Sequence, residues 1–351
     1  MDIAHIKIHK PADSRLKTLQ CGTRLIEVIL NHFGYQHIER FIGGECVFYE
    51  YRTTSAGVPR FSRRLTGAYI ELEKSHGFVI HNNEFKDLES GMASLINILL
   101  SHHLNNVQID MFYLSHTPYF SKKHQYHSII ITGMSGDSIS FCDPAYDVYE
   151  GVAPLEIFKT AMFSNYGDKK KQPMFRVIDI GSPKTPLNPK KDQFIATMKQ
   201  NYEDMVHPDR NRIFSQNTQI FPEQNDNRYL VGLQGLKELD KRILDAYKNG
   251  TVPELSFKLC GVFGNIVEQT ELHARYLEDM GGMFNLPDIA TLAGDLLRIV
   301  QEWNLVKNMF LKASIKDAPE EMIQRCMRRI NALASLEGEF LAREIALIEK
   351  L

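Results

Sequence analysis

The sequence predicts an α+β domain with a mainly antiparallel sheet, followed by an all-α helical domain, and three observations lead there. At 351 residues the chain exceeds what one compact core holds. Up to about Ile180, helical spacing alternates with short strand-like runs. Beyond Asp226 only helical periodicity remains, and the two regions are separated by a stretch rich in proline and polar residues. The expected division is a first domain at 1–180, a connector with one short helix at 181–225 and a helical domain at 226–351.

The first helix is set by Leu25, Ile26, Ile29, Leu30 and Phe33, which follow helical spacing from Cys21 and stop at Gly34, a glycine suited to a C-terminal cap. "GGECVFYEYR" reads as a strand entered by two glycines, and "GMASLINILLSHHL" as a helix. "VQIDMFYL", "HSIIIT", "SISFCD" and "FRVIDI" read as strands, several apolar enough to be buried on both faces. In the connector, Phe194, Met198, Tyr202 and Met205 mark one amphipathic helix. Helices are expected at 227–248, 254–280, 288–312 and 317–350, with Asp288 and Asp317 as N-cap candidates and Gly250 and Gly281 as stops. The last carries Met322, Cys326, Ile330, Leu333 and Leu336 as its apolar stripe, so this half reads as a bundle.

Composition narrows the function classes. Hydrophobic residues make up 43% and charged residues 24%, ordinary values for a globular protein, and a net charge of -2 gives no general pull toward nucleic acid or anionic lipid. Neither a signal-peptide core nor a long uncharged apolar window occurs, so no membrane association and a cytoplasmic location are expected. The five cysteines, Cys21, Cys46, Cys142, Cys260 and Cys326, are odd in number, widely spread and without a CxxC pair. That pattern indicates free thiols rather than a disulfide framework or a zinc site.

Cys21 stands where a helix begins, and there the unpaired N–H groups and the positive end of the dipole favour the nucleophilic thiolate. A nucleophilic cysteine also needs a base and a group that orients the base. "YHSIIITGMSGDSISFCDPAYD" can supply both. If the hairpin is symmetric about Ser135, Ile131 faces Ile139, Ile129 faces Phe141 and His127 faces Asp143, all on one face. The expected constellation is Cys21 as nucleophile, His127 as base and Asp143 as orienter. Cysteine on a helix start, then histidine and aspartate on successive strands, is the papain-like chain order.

"LQCGTRLIEVILNHFGY", "FIGGECVFYEYR", "VQIDMFYL", "HQYHSIIITGMSGDSISFCDPAY" and the terminal "EFLAREIALIEKL" together resemble the family of butirosin biosynthesis protein H. The resemblance covers most of the chain by pattern and order. It implies a papain-like N-terminal domain joined to a helical C-terminal domain, working in natural-product and antibiotic biosynthesis. It also implies transfer of an acyl or aminoacyl group from the phosphopantetheine thioester of an acyl carrier protein to a small-molecule amine. The same roles carry over to Cys21, His127 and Asp143, and Gly43, Gly44 and Asp110 become structural or pocket positions. Bacteriocin-leader peptidases of related fold carry a glutamine several residues before the cysteine to help form the oxyanion hole. Here Arg15 stands six positions before Cys21, and Gln20 is adjacent instead. The Cys21 backbone N–H is the expected oxyanion donor, with Gln20 a second candidate.

Other readings compete. His102, His103, His116, His124 and His127 could suggest a metal, but the spacing of HExxH or mixed Cys/His sites is absent, so neither metal nor cofactor is expected. "DIGSPKTP" and "GGMFNLP" lack the strand–glycine–helix context of a phosphate loop. Arg60, Arg63 and Arg64 form a basic patch suited to solvent, to a carrier's phosphate or to its acidic surface. Hydrolysis by the same three side chains, as a papain-like cysteine peptidase or amidase, stays open, as does a non-catalytic binding protein with Cys21 buried. A large helical domain suits an acceptor or a carrier better than peptide cleavage, which favours transfer. The oligomeric state is left open, a homo-oligomer included.

Overall fold

The computed structural model describes residues 2–3, 5–9, 11, 20–44, 50–53, 59–60, 68–164, 175–182, 190–208, 229–249, 252–315 and 319–351. Arg15, Cys46, Arg63, Arg64, Gly250, Asp317 and most of the stretches on either side of the connector helix lie outside them. The protein is mixed α+β, with a seven-stranded antiparallel sheet and a C-terminal helical region, and it divides into two units. One comprises Met1–Ile38 and Tyr69–Leu187; the other comprises Glu39–Ala68 and Asn188–Leu351. No helix among the described residues is long and apolar enough to cross a membrane.

In the first unit the chain runs β1 (Asp2–Ile3), α1 (Cys21–His32), α3 (Ala68–His76), β4 (Val79–Phe85), α4 (Leu88–Leu100) and β5 (Leu104–Asp110). After a short 3-10 turn at Met111–Tyr113 come β6 (Tyr126–Ser135), β7 (Ser138–Asp143), β8 (Tyr149–Pro154), α5 (Leu155–Met162) and β9 (Phe175–Gly181). The sheet order is β4-β9-β5-β6-β7-β8, with β1 also beside β6. α1 packs on β6, and its Leu25, Ile26, Ile29 and Leu30 are almost fully buried. Each such burial stabilises by about 1.5–3 kcal/mol and fixes where the helix begins. "VQIDMFYL" is strand only to Asp110, because the Asp110 carboxylate accepts from Phe112 N–H at 3.0 Å and turns the chain.

The β6–β7 hairpin departs from the expected register. Its loop is the two residues Gly136 and Asp137, between paired Ser135 and Ser138, and Gly136 supplies the positive φ of 54° that such a tight loop requires. Pairing therefore begins Ser135↔Ser138, Met134↔Ile139, Gly133↔Ser140, and not about Ser135. Continued without interruption, that register would set Asp143 against Ile130, whose side chain points to the face opposite His127. A bulge between Ile131 and Gly133 takes up one residue, and the ladder resumes as Ile131↔Phe141 and Ile130↔Cys142. Asp143 then falls one step beyond that pair, toward Ile129, on the face that His127 shares. His127 itself pairs with Ile109 of β5.

The bulge lies where β6 changes neighbours. β5 pairs with β6 only over Val107↔Ile129 to Asp110↔Tyr126. At the next position the Asn105 side chain replaces the ladder: its Nδ2 donates to Ile131 O at 2.9 Å and its Oδ1 accepts from Ile131 N–H at 2.8 Å. Beyond it, Ile6 N–H donates to Thr132 O at 2.7 Å and β1 takes over with Ile3↔Met134. Gly133 lets this segment approach, since a Cβ there would lie 3.1 Å from His5 Cα.

The second unit contains α2 (Glu39–Ile42), β2 (Glu50–Thr53), β3 (Pro59–Arg60), α6 (Lys191–Val206), β10 (Tyr229–Val231), α7 (Leu233–Lys248), α8 (Val252–Met283), α9 (Pro287–Ile315) and α10 (Glu320–Ile348). The four expected C-terminal helices are α7 to α10, with shifted ends. Gly281 lies inside α8 rather than stopping it, and a Cβ there would meet Ala290 N at 2.8 Å. Leu336 is 43% exposed and leaves the apolar stripe, whereas Cys326, Ile330 and Leu333 are buried. Trp303 is fully buried, stacks on Phe263 and donates from Nε1 to Glu337 Oε1 at 2.7 Å.

Two further features differ from expectation. α6 is not a connector helix: Phe194, Met198 and Met205 are buried in the same core as α7 to α10. A strand also exists after Asp226, since β10 pairs with β2, which pairs with β3. Three residues are too few to display a period of two, and the partner strand lies far earlier in the chain.

Asn105→Ala should therefore leave two buried backbone groups of Ile131 without partners. It is expected to lower the unfolding free energy by about 2–4 kcal/mol in urea titrations, with a loss of proton-exchange protection centred on Ile131.

Candidate active site

Cys21 is the first residue of α1, and Gln20 occupies the N-cap position in extended backbone, with no side-chain cap of its own. Gln20 O accepts from Arg24 N at 2.8 Å. The helix carries no acidic residue in its first turn, so nothing there opposes a negative sulfur. Cys21 is half-buried, in contrast to fully buried Cys142 and Cys326.

The structure brings Cys21, His127 and Asp143 together. His127 Nε2 donates to Asp143 Oδ1 at 2.8 Å, and the ring also hydrogen-bonds the Cys21 side chain. With Nε2 committed to the carboxylate, Nδ1 is the nitrogen that serves the sulfur. The two residues are not directly opposed, as the symmetric hairpin required. They are diagonal neighbours on one face, a separation that an imidazole and a carboxylate bridge.

Burial works against a charged His127 ring, whose side chain is only 3% exposed. The hydrogen bonds to Asp143 and Cys21 and the charge of both outweigh it, and the pKa is pushed up to about 9. At neutral pH the ring is therefore an imidazolium between two acids. Burial likewise opposes ionisation of Asp143, but hydrogen bonds from His116, His127 and Ala145 N–H hold its carboxyl below the usual range.

His116 belongs to the site and was not among its expected residues. Its Nε2 lies 2.8 Å from Asp143 Oδ2, so each oxygen of the carboxylate meets one histidine. Its ring stacks on Tyr149 with centroids 4.4 Å apart. Tyr146 stands edge-on to both His116 and His127, and burial, then the nearby Asp143, Tyr119 and Cys21, pushes its phenol up to about 12. The only sequence signal was the density of histidines and tyrosines around the hairpin; the loop that folds His116 back has no period to read.

Asp110 is fully buried and accepts four hydrogen bonds: Phe112 and Gln125 N–H on Oδ1, Ser164 Oγ and His124 Nδ1 on Oδ2. It joins the end of β5, the turn after it and the start of β6. Gly43 and Gly44 belong to the second unit, where Gly43 O accepts from His273 Nδ1 and Gly44 O from Asn201 Nδ2, both at 2.9 Å. A Cβ at Gly43 would lie 2.5 Å from Glu39 O and 2.6 Å from Leu272 O, so glycine is required there by packing.

His127 titrates at about 9 in the folded protein and near 6.5 unfolded, so its stabilising contribution is complete below pH 6.5 and disappears as pH rises through 9. Comparing urea midpoints at pH 7 and pH 10 should show wild type losing more stability than His127→Gln over that interval. Equal losses in the two proteins would contradict the raised pKa.

No known protein-family model matches this chain, and no curated protein matches it either.

Proposed function

We propose that the chain is a cysteine-nucleophile acyltransferase, whose first unit is papain-like and carries an acyl group on Cys21. The connected run Cys21, His127, Asp143 carries this reading: a sulfur at a helix start, bonded to a histidine that is bonded to a buried carboxylate. An acyl donor places its carbonyl against the Cys21 thiolate. The C–S bond to Cys21 forms, the donor's own thiol leaves with the proton from His127, and an acyl-Cys21 thioester remains. An amine then attacks, His127 takes its proton, and the Cys21 thiolate departs as the amide forms. The Cys21 backbone N–H, at the first turn of α1, is the expected donor to the oxyanion.

The donor in this reading is a thioester on the phosphopantetheine arm of an acyl carrier protein, and the acceptor is an amine on a small molecule, in natural-product biosynthesis. Those identities rest on the resemblance to the family of butirosin biosynthesis protein H in the segments around Cys21, His127 and Asp143. The three side chains serve water as readily as an amine, so the partition between amide and acid is what the experiment must read.

Incubation with an acyl-loaded carrier protein, followed by intact-mass measurement, is expected to add one acyl group to wild type and none to Cys21→Ala. Addition of the right amine should discharge it as amide. Cys21→Ala at wild-type rate would overturn the nucleophile, and ready peptide cleavage with no amide from any loaded carrier would assign the site to hydrolysis.

A further inference from the structure

Asp143 has two oxygens and two histidines, and the proposed chemistry uses only one of the histidines. We infer that His116 is a positioning residue: by donating Nε2–H to Asp143 Oδ2, it holds the carboxylate in the one rotation that presents Oδ1 to His127. The inference rests on the reading of Cys21, His127 and Asp143 as a triad and extends it by one member.

The geometry supports this role. Asp143 is fully buried, so an oxygen without a donor would be costly and the carboxylate would turn to recover one. Oδ1 already receives His127 Nε2 and Ala145 N–H at 3.1 Å, and Oδ2 receives His116 Nε2. Three donors from three parts of the chain define the carboxylate plane. His116 is itself held: its side chain is 8% exposed and lies flat on Tyr149, whose backbone pairs with Asp143 across β7 and β8. The loop that carries it is tied internally, with Thr117 Oγ1 donating to Met111 O and Leu114 O, and Leu114 N–H to Met111 O. Asp110 in turn pins the base of that loop through Phe112 N–H. His116 thus reaches Asp143 from a braced support, which packing on Tyr149 alone would not need.

Among the described residues, the ionisable groups around Asp143 are His116 from the loop, His127 from β6 with Cys21 beyond it, and Tyr146 from the turn after β7, with Tyr149 stacked on His116. The hydrogen bonds from His116, His127 and Ala145 N–H together keep the carboxylate ionised. Loss of the one from His116 raises the pH at which Asp143 takes up a proton and stops supporting the His127 imidazolium.

The test is the pH profile of Cys21 alkylation by iodoacetamide, read by peptide mass mapping, in wild type, His116→Phe, His116→Gln and Asp143→Asn. His116→Phe keeps a ring on Tyr149 but has no donor, whereas His116→Gln keeps a donor near the Nε2 position and loses the ring. His116→Phe is expected to move the acid limb of the profile up by about one pH unit, with His116→Gln restored toward wild type. Circular dichroism of both variants checks that they are folded, and His127 imidazole shifts by NMR report its titration in the same samples. A wild-type acid limb in His116→Phe, with Asp143→Asn shifted, would overturn the positioning role and leave the triad standing. An unshifted profile in Asp143→Asn would overturn the triad reading, and the role of His116 with it.

Discussion

Asp143 is taken entirely out of water, and an ionised carboxylate so placed is costly unless each oxygen finds a donor. The surrounding structure meets that demand from several directions. The bulge in β6 returns its hairpin partner to the right face, the turn after β7 supplies Ala145 N–H, and the loop after β5 supplies His116. Removing any one of these leaves a buried charge short of a partner. The same demand explains the protonated His127: the carboxylate and the neighbouring sulfur favour an imidazolium more than burial disfavours it.

The bulge in β6 joins local geometry to chemistry. It is held on one side by the Asn105 side chain, which imitates a strand, and on the other by β1, which begins where β5 leaves off. A two-residue loop led by Gly136 gives β6 and β7 the tight closure of a common hairpin. That closure alone would have turned Asp143 away from His127. One inserted residue reconciles the preferred turn with the required site.

Most elements were legible because periodicity reports burial: α1, α4, β7 and the four long helices stand close to where their apolar spacing put them. The pairing of His127 with Asp143 was also anticipated, by a register that is not the observed one. The symmetric hairpin contained no bulge, and bulges are set by contacts such as Asn105 with Ile131 that no local pattern announces. His116 was invisible for a related reason, since its position depends on a loop tied by Asp110 and Thr117. In the second unit, α6 was legible as an amphipathic helix, but an amphipathic face does not name what covers it. Gly43 carried a glycine signal whose cause is the close approach of Glu39 and of α8 at Leu272, while the Gly44 carbonyl accepts from Asn201 of α6.

The second unit is discontinuous in sequence, with Glu39–Ala68 separated from Asn188–Leu351 by most of the first unit. A ribosome releases α2, β2 and β3 well before the helices they pack with, and all of Tyr69–Leu187 must follow before the unit resumes at Asn188. The rest of the first unit, Tyr69–Leu187, is synthesised in that interval. That unit can fold as soon as β9 emerges, while the earlier segment waits as a tether for helices still to come. The order of folding then departs from the order of synthesis for Glu39–Ala68, which is made before most of the sheet and packed after it.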